Sequence, residues 1–169
     1  SPKKKNSSWM EDFFEEIETK IDRATRNAFK EIVKKSKIEK VYAFALYSDS
    51  SAYTVCSASN TNSFLSEFEA NEDYLYYKFE PVEWQCEIEG AEEDFNKICK
   101  LLRKNDYESA GYPFLEYRTR IFGICVNVLE KLERENFFKE SLNWFFSSWN
   151  FCSDHRNCCC LLPHEEKNR

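Results

Sequence analysis

The sequence is short of glycine, of basic charge and of uninterrupted apolar stretches. Three glycines in 169 residues exclude phosphate loops of the Walker and Rossmann types, which need backbone amides brought close to phosphate. No apolar run approaches the roughly 20 residues that cross a bilayer, and no secretory h-region opens the chain, so no membrane partner is expected. Lys and Arg number 24 against 30 Asp and Glu, a net charge of −6. A general nucleic-acid binder needs the opposite surplus to neutralise phosphates, so nucleic acid is not expected either.

The chain is rich in rings instead: 15 Phe, 9 Tyr and 4 Trp, within 42% hydrophobic residues. That content supplies a core, and the length suits one domain. Ser1 to Asn6, with three consecutive lysines and no initiator Met, reads as a cloning remnant. The expected organisation is a flexible lead-in over 1–7, a single domain over 8–155, and a Cys/His-containing tail over 156–169.

Eight cysteines are present. Cys56, Cys86, Cys99 and Cys125 sit singly in apolar segments, where free Cys behaves as a small hydrophobe. A ring-rich chain needs no disulfide staples, and with no signal segment a reducing cytoplasm is the expected location. Cys152, His155, Cys158 and His164 have spacing that could ligate zinc. They crowd into one short stretch, however, whereas structural sites separate two ligand pairs. A polar tail is the preferred reading, and no cofactor is expected. A Cys152–His155 nucleophile oriented by Asp154 fails on geometry, because adjacent residues on a strand point to opposite faces.

Apolar periodicity predicts the elements. Met10, Phe14, Ile17, Ile21, Ala28 and Ile32 form one face of a helix over 8–35, opened by a Ser8/Glu11 capping box. Val41–Asp49 and Ala52–Ala58 read as a hairpin, and Asn60-Thr61-Asn62 as the cap of a short helix over 63–70. Tyr74–Ile88 reads as two short strands broken at Pro81. A third helix opens at Gly90-Ala91 with buried Phe95, Ile98, Cys99 and Leu102. Asn105–Tyr112 is a loop, and Pro113 starts a fourth helix with Tyr117, Ile121, Ile124, Cys125, Val128 and Leu132 inward. Leu142–Cys152 reads as a last, centrally buried strand. Helices and strands in this order predict an α+β fold, a largely antiparallel sheet with helices packed on it.

Tyr42-Ala43-Phe44-Ala45-Leu46-Tyr47 with its hairpin and Asn60-Thr61, then Glu83-Trp84, then a late strand leading into Ser153-Asp154 form an ordered set. Over residues 10–155 the chain resembles the bacterial family catalogued as domain of unknown function 4303. The resemblance implies a small cytoplasmic α+β protein without assigned catalysis. It also implies an immunity-like binding role, since such proteins are often associated with toxin–immunity loci. It carries no catalytic residues and says nothing of the tail.

Charge locates a candidate site. Residues 67–94 hold eleven acids and one base, Lys78, so this segment is −10 and the rest of the chain +4. The functional reading is an acidic, aromatic-laced surface built from Glu69, Glu72, Asp73, Tyr74, Tyr76, Tyr77, Glu80 and Glu83. Such a surface would steer and hold a basic protein partner, a toxin domain being the expected one. The competing reading is a solvated acidic face that keeps a Phe-rich protein soluble. Trp84 is expected in the core, with Glu83 accepting hydrogen bonds from the backbone or from Arg118 or Arg120. The function expected is non-enzymatic inhibition by binding. The alternative is an enzyme with a carboxylate or Cys site, marked by a deep pocket that Glu83 and Arg118 would line.

Overall fold

The computed structural model describes residues 5–36, 41–138, 149–151 and 158–161. It has the expected α+β architecture: a five-stranded antiparallel sheet with helices on both of its faces.

Helix α1 spans Lys5–Lys35, and every residue of its expected apolar stripe is buried. The helix starts earlier than the capping box implies, so Ser8 and Glu11 lie inside it. Asn6, Ser7 and Ser8 offer similar cap chemistry in succession, and local sequence does not single out one of them. Glu11 pairs instead with Arg120.

Strand β1, Val41–Tyr47, lies mid-sheet between β2, Cys56–Thr61, and β5, Cys158–Leu161. With a strand on each side and helices above and below, its run VYAFALY is apolar on both faces. β2 begins later than the sequence predicts. The Asp49 carboxylate accepts from the Tyr53 and Thr54 amides at 2.8 and 2.9 Å and from the Thr54 hydroxyl at 3.0 Å. Those bonds hold residues 49–54 as a side-chain-closed loop that competes with the ladder. β3, Cys86–Glu87, pairs with the outer side of β2, and β4, Trp149–Phe151, pairs with β5.

The late strand is therefore corrected in two ways. Its described part, β4, lies at the sheet edge and not at its centre. The mid-sheet place beside β1 belongs to Cys158–Leu161, which the sequence reading assigns to the tail. The sequence predicts no second late strand because the cysteine run carries no alternation.

Thr61 caps the short helix α2, Asn62–Ser66, its hydroxyl accepting from the Phe64 amide at 3.3 Å. Tyr74–Phe79 forms helix α3, not a strand. Pro81–Glu83 is a 3-10 turn that leads to β3. Helix α4, Glu92–Lys104, carries Glu92, Glu93 and Asp94 in its first turn, the favourable sign for a helix N-terminus. The expected loop before Pro113 contains one helical turn, α5, Tyr107–Ala110, capped by Asp106. Helix α6, Phe114–Arg134, buries its whole predicted stripe.

Helices α1, α4 and α6 cover one face of the sheet, with Phe29 meeting Phe44 edge-on at 5.6 Å. Three contacts between α1 and α6, Glu11–Arg120, Asp22–Lys131 and Arg26–Glu135, share the sequence offset 109. A constant offset means that the two helices run parallel and in register. The opposite face, with Tyr42, Ala43, Ala45 and Ala58, is covered by Leu65 and Trp84 and by Tyr74, Tyr77 and Phe79.

Candidate functional site

The acidic segment as far as Trp84 packs on this second face, where a buried polar network anchors it, while its last acids, Glu92, Glu93 and Asp94, open α4 on the other. Asn60 in β2 is fully buried. Its Oδ1 accepts from the amides of Thr61 and Gln85 at 3.1 and 3.3 Å. Its Nδ2 donates to the Tyr42 hydroxyl at 3.0 Å, and that hydroxyl donates to the Lys78 carbonyl at 3.2 Å. The same carbonyl accepts from Trp84 Nε1 at 3.2 Å. Burial pushes the Tyr42 phenol well above its usual range, so it stays a neutral donor. Asn60 thus does more than cap a helix: it joins the sheet to the acidic segment.

Trp84 is 3% exposed, as its core role requires. Glu83 accepts from the Tyr76 hydroxyl at 3.1 Å. Arg120 pairs across to Glu11, and Arg118 lies over the Phe122 ring at 5.1 Å, both on the helical layer.

The candidate residues divide by exposure. Glu69, Glu72 and Asp73 are exposed, and Tyr76 presents its ring to solvent. Tyr74 and Tyr77 are half-buried, with Tyr77 stacked on Phe68 at 3.9 Å between centroids. Glu80 is only 7% exposed and so leaves the surface set. Two apolar residues that sequence reasoning missed join the face: Leu75, 63% exposed, and Val82. A helical reading of Tyr74–Phe79 would have found Leu75, since a short helix packed through Tyr74 and Tyr77 turns the intervening positions outward.

A groove of about 630 Å³ lies elsewhere, between α1 and α6, lined by residues that include Phe14, Glu18, Tyr112, Glu116, Arg120 and Ile124. Neither Glu83 nor Arg118 lines it. Among the described residues no three His, Cys, Asp or Glu side chains form a metal cluster. Cys152, His155 and His164 lie outside the described residues. No helix among the described residues is long and apolar enough to cross a membrane.

The fold and this face define a small α+β domain with an acidic, apolar-studded segment laid over one side of its sheet. Residues 21–157 match the family model described as Domain of unknown function (DUF4303), and the chain belongs to that family. No curated protein and no solved structure matches the chain.

Proposed function

We propose that the chain is a non-enzymatic binding protein, immunity-like, that captures a basic protein partner on the face formed by α3 and the turn after it. A bacterial toxin domain is the partner class that the family resemblance suggests. The observation that carries the reading is the exposure of Leu75, Tyr76 and Val82 within the segment of charge −10. Solubility alone accounts for the acids, but it disfavours apolar side chains displayed among them. An apolar centre with a charged rim is the usual anatomy of a protein interface, the centre giving affinity and the rim giving on-rate and selectivity.

The test is a titration of the purified chain against the proteins encoded by the neighbouring genes, at low and high salt, a basic toxin domain being the expected partner. Reversal of Glu69, Glu72 and Asp73 to Lys is expected to weaken binding about 10- to 100-fold at low salt, while thermal stability changes little. Unchanged affinity would remove this face as the interface.

A further inference from the structure

Helices α1 and α6 face each other in register, and their facing charges follow a broken pattern. Residues 11, 15, 18, 22 and 26 of α1, three or four apart, share one stripe. The offset 109 sets them level with 120, 124, 127, 131 and 135 of α6. Three of the five levels are ion pairs: Glu11 with Arg120, Asp22 with Lys131 and Arg26 with Glu135. The two in between are not. There Glu15 stands level with Ile124 and Glu18 with Asn127, and α6 carries no Lys or Arg from 121 to 130. Among the described residues neither glutamate has an ion pair.

The groove of about 630 Å³ opens at this gap, and Glu15 and Glu18 both line it. Gly123 lines it too, and a Cβ there would meet no atom within 4 Å. Glycine weakens a helix interior, and close packing does not require it here; its effect is to leave the space beside Phe14 open. The one base in the lining, Arg120, is held by Glu11 and lies over the Phe14 ring at 5.3 Å. We propose that this groove binds a short-chain aliphatic polyamine, whose ammonium groups supply the positive charges missing opposite Glu15 and Glu18.

Spacing and polarity select that class. Three residues of helix separate the two glutamates, a rise of about 4.5 Å. Ammonium groups joined by three or four methylenes stand about 5–6 Å apart, so one can serve each carboxylate. The Asn127 side-chain oxygen adds an acceptor at the second level. The methylenes then lie along Phe14, Ile124 and Leu115, an apolar lining that a hydrated metal ion would not use. Between the ion-paired levels at 11 and 22 the groove has about 16 Å of helix, room for a third amine. Its volume is that of a small-molecule site. The groove lies on the helical layer, across the sheet from α3, so its occupancy is independent of the acidic face.

The test titrates the full chain with spermidine at low ionic strength, by calorimetry and by amide chemical shifts. Saturable one-to-one binding is expected, with shifts concentrated in residues 14–18 and 115–127. Removing both charges in the double variant Glu15→Gln, Glu18→Gln is expected to weaken binding about tenfold. Gly123→Leu fills the open space and is expected to block binding while the melting temperature holds. Shifts centred on residues 67–84 overturn the proposal, as does unchanged affinity in the double glutamine variant. Displacement of spermidine by magnesium at equal concentration of charge also overturns it, because charge screening alone would then explain the binding. The double glutamine variant decides alone if Gly123→Leu does not fold.

Discussion

The Asn60 amide spends both of its ends inside the protein, the oxygen on two backbone amides and the nitrogen on the Tyr42 hydroxyl. Truncation in Asn60→Ala leaves buried polar groups of two segments without partners. The expected cost is about 2–4 kcal/mol, seen as a lower urea midpoint with an unchanged slope. A cost below about 0.5 kcal/mol, the range of an ordinary surface substitution, would mean that the network does not hold the segment. Asp22 gives a second prediction at this scale. Burial alone would raise its carboxyl, but hydrogen bonds from Arg26 and Lys131 outweigh it and hold the group below the usual carboxylate range. A carboxyl lowered on folding contributes stability above its unfolded pKa, near 4, and loses it as pH falls through the folded value. Asp22→Asn is therefore expected to cost about 1–2 kcal/mol at pH 7, with the gap to wild type closing in strong acid. Urea titrations at both pH values check it; a gap that stays constant with pH would contradict it.

Where α4 meets α1, the approach is close enough to exclude a side chain. Gly90 sits at φ +88°, and a Cβ there would fall 2.9 Å from the Ala28 Cα and carbonyl oxygen. Ala91 follows at φ +48° with its amide donating to Glu31 of α1 at 2.8 Å. Gly90→Ala meets both a left-handed backbone and a backbone clash, and is expected to cost about 2–4 kcal/mol by thermal or denaturant melting. An unchanged melting temperature would show that α4 can move away from α1 at no cost.

The same elements show what was legible beforehand. The inward stripes of α1, α4 and α6 follow from 3.6-residue spacing, and β1 from an apolar run too short for a helix. α3 was not legible as a helix. Its rings favour strands intrinsically, and what fixes Tyr77 is stacking on Phe68 and packing beside Trp84, contacts made only in the fold. The parallel pairing of α1 with α6 is likewise non-local. Of the candidate face, the acids and Tyr76 were readable from charge and composition. Leu75 and Val82 were not, because their exposure depends on how α3 and the turn after it pack.

At the scale of the whole molecule, the sheet divides the labour. One face carries the thick helical layer, tied by Glu11–Arg120, Asp22–Lys131 and Arg26–Glu135. The other carries a thin cover of short helix and turn, where residues 67–84 hold six acids and Lys78, a net −5; the remaining acids of the segment include Glu92, Glu93 and Asp94 of α4 and Glu89, which pairs with Lys35 of α1. A net charge of −6 spread evenly would steer nothing in particular. A net −5 within residues 67–84 gives this face a direction. The most direct measurement of the central claim is amide hydrogen exchange on the chain, free and bound to the basic protein partner proposed for it. The account predicts new protection concentrated in residues 67–84. Protection centred on the α1–α6 groove, with 67–84 unchanged, would contradict it.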